Sequence, residues 1–320
     1  MTTTAVAPPI ADRPPAPRGS ARTSLGEAGR AGWLFSTPFL VIYVLFLIGP
    51  VLIGLVISLF NTSTVSSGVG EWVGLSNYAD VLKSPDFWAS MWHTTIFTLL
   101  TTPLLVLVPL LFAILAGRLT RNRWFFRLAF FAPYVVPSAA VCLIFAFMYT
   151  PETGLITKAF SLVGLTAPNF LGSTGGAWFA VTLLTLWWTF GLNFILYTAA
   201  IQDISEDVYE ASAIDGASPW QQITRITVPL LRPTIGLVLI LQILASLKVF
   251  DQIYILLAGG PGNKTRPVIE YIYDTGFTSY RGGYASAATM VYVVILIIVS
   301  AVWVVLRRVS NKTAKSTIKA

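Results

Sequence analysis

Apolar positions in this chain are gathered into long continuous runs, with polar residues concentrated between them. Six runs stand out, residues 33–60, 92–116, 128–149, 178–200, 235–257 and 284–306, each 22 to 28 residues long. About 20 apolar residues in a helix cross a hydrocarbon layer of roughly 30 Å. A backbone in that layer must pair its own amides and carbonyls, so the runs predict six transmembrane helices and an all-α membrane protein. Pro38, Pro50, Pro103, Pro109, Pro133 and Pro137 fall in the first three runs. Each proline removes a helix donor and frees a carbonyl that a neighbouring helix must satisfy, which favours a packed bundle over six independent anchors.

Composition agrees with that reading. Of 320 residues, 55% are hydrophobic and 11% charged, and the mean hydropathy is +0.72, whereas a soluble domain carries about 25% charged residues. The single Cys142 and single His93 leave no intramolecular disulfide and no cysteine or histidine metal cluster to expect. The net charge of +7 raises nucleic acid as a partner, but its distribution argues otherwise. Fifteen lysines and arginines flank the runs on the side of both termini and five on the opposite side. This is the pattern that places both termini in the cytoplasm. Residues 1–30, with Pro8, Pro9, Pro14, Pro15 and Pro17, read as a disordered cytoplasmic tail. That segment is too long and proline-rich for a signal-peptide n-region, so the first run reads as retained. Residues 31–308 form the membrane domain and 309–320 a cytoplasmic C-terminal tail.

The most informative polar segment lies between the fourth and fifth runs, residues 203–229. Ser205 is placed to cap a helix whose first turn carries Glu206 and Asp207 against the positive end of its dipole. Gly216 supplies the permissive backbone needed just past a helix end. Ser218-Pro219-Trp220-Gln221 then has a cap, a first-turn proline and a capping-box glutamine in order. Pro229 is expected to close this second helix, with Trp220, Ile223, Ile226 and Thr227 along one face. The carboxylates of Asp203, Glu206, Asp207, Glu210 and Asp215, against Arg225 alone, suit an anionic lipid surface poorly. A protein partner is the better match.

Glu210-Ala211-Ser212, Asp215-Gly216-Ala217 and Ile226-Thr227-Val228-Pro229 closely resemble the EAA motif of permease subunits of ABC importers. The chain departs from the family pattern mildly, with Ser212 for alanine and Val228 for leucine. Leu247-Lys248-Val249-Phe250-Asp251-Gln252-Ile253-Tyr254, then Gly259-Gly260-Pro261, resembles the sugar-permease branch, as do Gly74-Leu75-Ser76-Asn77-Tyr78 and Phe87-Trp88. The resemblance implies a type I importer (MetI-like) permease fold of the maltose or glycerol-phosphate kind, importing a disaccharide or oligosaccharide, or alternatively glycerol 3-phosphate or a glycerophosphodiester. It implies that Glu210, Ala211, Asp215, Gly216, Ala217 and Pro229 couple the chain to a cytoplasmic ATPase dimer. It also implies a second homologous permease and an extracytoplasmic substrate-binding protein as partners. ATP and Mg2+ would bind the ATPase, with no cofactor on this chain.

Residues for the transport path follow from polarity inside the runs. Lys248 and Asp251, three apart in the fifth run, are expected to share a helix face, where they either pair with each other or line a cavity together with Gln252. Trp187, Trp188 and Asn193 in the fourth run combine ring faces for sugar C–H groups with an amide for hydroxyls, although aromatic residues in membrane helices also serve packing and belts. Gly259-Gly260-Pro261-Gly262-Asn263-Lys264-Thr265 lacks the Gly-Lys-[Ser/Thr] ending of a phosphate loop and reads as a helix terminus. An ion-driven carrier would be expected to show internal repeats, and a membrane enzyme a catalytic constellation. The sequence displays neither.

Overall fold

The computed structural model describes residues 24–66, 68–117 and 123–317. The chain divides into two compact units, residues 1–53 and 54–320. In the first, helix α1 (Ser24–Tyr43) passes through a π-helical turn (Val44–Ile48) into α2 (Gly49–Ile57), which crosses the unit boundary. The apolar stretch Phe35–Ile57 is long enough to span a membrane. Of the expected N-terminal tail, residues 24–30 are helical and 1–23 lie outside the described residues. The expected C-terminal tail is helical to Thr317.

In the second unit a short hairpin, β1 (Phe60–Asn61) on β2 (Glu71–Trp72), precedes α3 (Ser76–Lys83) and the long α4 (Pro85–Gly117). Prolines 103 and 109 lie inside α4 without breaking its 33 residues. The carbonyl that Pro109 leaves without a helical donor is that of Leu105, four residues back. It accepts a hydrogen bond from Asn193 Nδ2 at 2.8 Å, on α8 (Thr174–Gln202). The second and fourth expected spans therefore lie within continuous helices, as does the sixth, within α15 (Gly282–Thr317).

The third and fifth spans depart from expectation. Residues 128–149 form two helices, α5 (Arg123–Val135) and α6 (Ser138–Met148), bent by 94°. Pro137 forces Val136 away from helical geometry and serves as N-cap of α6. In place of a single helix over 235–257, α12 (Arg232–Leu247) ends at Lys248, and α13 (Asp251–Leu257) starts after Phe250 at φ −147°. Four helices are long and apolar enough to cross a membrane among the described residues, or six if each bent pair counts as one span. The second bent pair joins Pro219–Leu230 to Arg232–Leu247 at 63°, so the loop's second helix runs directly into α12.

Both breaks are held from outside. Trp188 Nε1 donates to the freed Val136 carbonyl at 3.1 Å. At the other break, Tyr292 of α15 donates its hydroxyl to the last α12 carbonyl, Leu247, and Ser138 Oγ donates to Asp251 Oδ2 at 2.6 Å. Phe97, Val141, Phe145, Tyr149, Val181, Leu184 and Ile253 pack around these junctions, so the irregular backbone is buried in protein.

Candidate functional site

The segment between α8 and α12 is built as its local chemistry predicts. Helix α9 (Glu206–Ile214) is capped by Ser205, whose Oγ accepts from Asp207 N at 3.3 Å. It ends in a Schellman motif, with Gly216 N donating to Ala213 O at 3.1 Å and Ala217 N to Ser212 O at 2.9 Å. Gly216 sits at φ +80°, a left-handed conformation that glycine adopts freely and residues with a Cβ adopt rarely. Ser218 and Gln221 form a reciprocal capping box at the start of α10 (Pro219–Gln222).

Beyond α10 the expectation fails in an instructive way. The helix does not close at Pro229 but continues through a π-helical turn (Ile223–Thr227) into α11 (Val228–Leu230), where Pro229 sits in the first turn. Val228 N donates to Ile223 O, five residues back, so the wider turn absorbs the proline's missing donor. That extra residue rotates the faces out of register. Trp220 is 71% exposed while Thr227 is 5% exposed, so the expected common face does not exist.

The two short helices are fastened to each other. Gln222 Nε2 donates to Tyr209 O at 3.2 Å and to Ser212 Oγ at 3.0 Å, and the Tyr209 hydroxyl meets Thr227 Oγ1 at 2.9 Å. Ser212, the departure from the family alanine, thus supplies a link that alanine lacks. Glu210, Ala211, Asp215 and Gly216 are exposed on the outer side of this unit, Ala217 and Pro229 half-buried. At the tip of this unit, the turn from α9 to α10, Ile214 closes α9 with 87% exposure and Trp220 lies exposed in the first turn of α10.

The transport-path candidates separate into two groups. Asn193 is fully buried and clamps three helices, donating to Leu105 O of α4 and accepting from Gln242 Nε2 of α12 at 3.1 Å. Trp188 holds the α5–α6 break, and Trp187 packs against Phe145 with ring centroids 5.4 Å apart. Asn193 and Trp188 thus use their polar groups to hold the bundle. Lys248 and Asp251 do not share a helix face, because the helix is broken between them, and they form no ion pair. Asp251 is turned to Ser138, whereas Lys248 is exposed, and Gln252 is half-buried. Replacing Asn193 by leucine strands the Leu105 carbonyl and the Gln242 amide, an expected loss of about 1–2 kcal/mol. A lowered unfolding temperature in detergent, partly restored by adding Gln242→Leu, is the outcome that checks this.

Away from the 203–229 segment, the remaining motif residues hold connections in place. Asn77 Nδ2 donates to Ser58 O and Phe60 O at 2.9 Å each, and Tyr78 bonds Ser58 Oγ at 2.6 Å. The glycine-rich stretch is the end of α13, with Ala258 and Gly259 at φ +47° and +70°. It leads into α14 (Val268–Tyr273), and His93 Nδ1 lies 3.1 Å from Arg266 O there. Arg266 Nη1 approaches Asp274 Oδ2 at 3.7 Å, the one ion pair among the described residues. Glu270, 2% exposed with Oε2 unpartnered, packs against Gly259. Burial pushes its carboxyl up to about 7, with Asp274 adding to the shift and Arg266 opposing it.

A capped, glycine-turned helix pair between two apolar helices is the arrangement that comparison with known proteins can decide. The model of the family described as binding-protein-dependent transport system inner membrane component matches residues 73–311. The chain belongs to this family. Among its relatives, a probable ABC transporter permease protein, YurN of Bacillus subtilis, is 32% identical over 273 residues, covering 84% of this chain and 92% of that protein. The sulfoquinovosyl glycerol transport system permease protein SmoG of Agrobacterium fabrum is 30% identical, covering 90% and 93%. The trehalose/maltose transport system permease protein MalF of Thermococcus litoralis is 34% identical, covering 75% and 81%. A chain from the crystal structure of a bacterial ABC transporter involved in import of the acidic polysaccharide alginate superposes with a TM-score of 0.77. It is 25% identical, and the match covers 89% of this chain and 98% of that one.

Within this family member, two features escaped the sequence. The break at 136–137 had Pro137 as its local sign, whereas the break at 248–250 has no proline or glycine and only the polar Lys248 and Asp251 beside it. An array of aromatic rings formed by Phe250, Tyr254, Tyr273 and Phe277 joins residues up to 27 positions apart, beyond any local periodicity.

Proposed function

We propose that this permease is one half of the transmembrane path of an ATP-driven sugar importer and that residues 203–229 are the surface on which the ATPase subunit docks. The sugar assignment draws on relatives named for sulfoquinovosyl glycerol, trehalose/maltose, lactose and arabinooligosaccharides. The observation that carries the docking assignment is the tip itself. An 87% exposed isoleucine, a 71% exposed tryptophan and the exposed carboxylates of Glu206, Asp207, Glu210 and Asp215 are presented on two helices and their connecting turn, bonded into one body. Exposed large apolar side chains, an aromatic among them, together with charge are the composition of a protein-binding patch.

In this reading Glu210 faces basic groups of the ATPase, while Gly216 sets the angle between α9 and α10. Because α9 follows α8 and α11 bends into α12, motion at the tip reaches two membrane helices at once. ATP binding and closure of the ATPase dimer would drive that motion, turning the path from inward-facing to outward-facing. The termini and this loop then share the cytoplasmic side. A substrate-binding protein delivers sugar to the opposite face, a reading supported by the alginate transporter structure solved in complex with an alginate pentasaccharide-bound periplasmic protein.

The experiment is a pull-down of this chain co-expressed with its neighbouring permease and ATPase. Glu210→Ala combined with Ile214→Asp is expected to lose the ATPase at least tenfold while retaining the second permease. Equal recovery of the ATPase with the variant would sink the docking assignment.

A further inference from the structure

Where α4, α5, α8 and α9 meet, the structure encloses a cavity of about 300 Å³. Arg127 of α5 and Glu206, the first residue of α9, both line it, together with Thr198 and Gln202 of α8 and the apolar Phe194 and Ile201. The two opposite charges share this space without pairing, since the one ion pair among the described residues joins Arg266 to Asp274. Arg127 Nη2 is sealed from solvent and has no hydrogen-bond partner. The Thr198 hydroxyl proton is committed to Phe194 O at 2.6 Å, which leaves Arg127 as the cationic donor among the lining residues. A dry, unpaired guanidinium donor is among the costliest polar groups to bury, so an acceptor that the chain does not supply belongs beside it.

Helix α5 indicates where that acceptor comes from. Trp124 lies three residues before Arg127, Phe125 two before and Leu128 one after, and all three are exposed. Exposed amphipathic rings next to a basic side chain, at the end of an apolar helix, are the composition of the lipid headgroup layer. Basic pockets between membrane helices at that level take the phosphate of a headgroup. A slender headgroup also suits the recess better than a carboxylate on a partner protein, because the cavity is lined by four of the chain's own helices. Glu206 then selects among headgroups. Exposed and lining the same cavity, its carboxylate repels a purely anionic headgroup and attracts one that carries an ammonium. A phosphate and a primary ammonium a few atoms apart complement the unpaired couple.

We infer that this cavity binds the headgroup of phosphatidylethanolamine, with its phosphate on Arg127 and its ammonium on Glu206. A headgroup held there joins the start of the docking pair to the bent third span. The site stands apart from the sugar reading and from the docking reading, since neither is needed for a lipid to enter.

The test is native mass spectrometry of the importer purified whole, with partner permease and ATPase, in detergent titrated with phosphatidylethanolamine or phosphatidylglycerol. The wild type is expected to hold phosphatidylethanolamine about threefold more tightly than phosphatidylglycerol, the size of an exposed charge contact. Arg127→Gln is expected to weaken phosphatidylethanolamine about tenfold, the size of one lost charge-assisted hydrogen bond. Glu206→Gln should erase the preference between the two lipids. Arg127→Lys keeps the charge and should bind within a few-fold of wild type, which separates loss of the site from loss of the fold. Should Arg127→Gln not assemble, the lost preference of Glu206→Gln decides alone. Equal retention by wild type and Arg127→Gln overturns the site, and an unchanged preference in Glu206→Gln overturns the headgroup assignment. Displacement of the lipid by an equal concentration of sn-glycero-3-phosphoethanolamine identifies a soluble ligand and overturns the lipid. Retention only after the ATPase is stripped away means that an acidic group of the ATPase holds Arg127, and likewise overturns it. Because the lipid is counted on the permease pair, failure of the ATPase to co-purify removes the docking reading and leaves this result standing.

Discussion

Replacing Gly216 by valine is expected to abolish ATP-driven uptake while leaving the protein inserted and paired with its second permease. At φ +80° a residue with a Cβ meets its own carbonyl, at a cost of about 1–2 kcal/mol, and β-branching adds to it. No other atom lies within 4 Å of a Cβ built there, so the penalty is wholly one of backbone geometry. The chain can escape it only by undoing the bonds from Gly216 and Ala217 to Ala213 and Ser212, which reorients Ile214 and Trp220. Asparagine tolerates left-handed geometry, so Gly216→Asn should keep uptake within a few-fold of wild type. Uptake in proteoliposomes and ATPase co-purification are the measurements, and wild-type transport by the valine variant would remove Gly216 from the coupling role.

A different glycine should govern stability. Gly191 on α8 faces the α5 backbone so closely that an added Cβ would stand 2.2 Å from Phe130 O and 2.7 Å from Phe131 Cα. Rigid backbone cannot yield as a side-chain tip can, and the rings of Phe130, Phe190 and Phe194, 4.9 to 5.8 Å apart, lock the crossing on either side. Gly191→Ala is therefore expected to cost about 3 kcal/mol or to prevent assembly of the bundle. Gly236→Ala, where nothing lies within 4 Å, should be neutral or slightly stabilising because alanine favours helix. Thermal denaturation followed by size-exclusion chromatography checks both. Equal stability of the two variants would show that α5 and α8 have room to separate.

What the sequence reveals here depends on how far apart the interacting residues lie. Ser205, Gly216, Ser218 and Gln221 act within one or two helical turns, and each takes the predicted place. The apolar stretches 92–116, 178–200 and 284–306 are equally legible, because hydrophobicity alone marks them, although the helices that hold the first and last run on to Pro85 and Thr317. Asn193 is the contrary case. Its polarity inside an apolar run marked it as important, but its partners are Leu105, 88 positions away, and Gln242, 49 away. Pro109 was the visible sign that a carbonyl needed a donor, yet not of which residue would supply it. The break at Lys248–Phe250 contains neither proline nor glycine. Tyr292 and Ser138 stabilise it from other helices, so a helical reading of Lys248 and Asp251 placed on one face two residues that the fold separates. The π-helical turn at 223–227 had a comparable effect, shifting by one residue a face that a regular helix would have kept.

The bonds that join Tyr209, Ser212, Gln222 and Thr227 also bear on the thermodynamics of association. A loop that folds only on contact spends part of its binding free energy on its own ordering and associates through a slow rearrangement. Here the two helices are already immobilised against each other before any partner arrives. Docking should then proceed nearly as one rigid body meeting another, with little change in backbone shape. Under the proposed docking of the ATPase, the free energy released at the tip would then be available as mechanical work on α8 and α12.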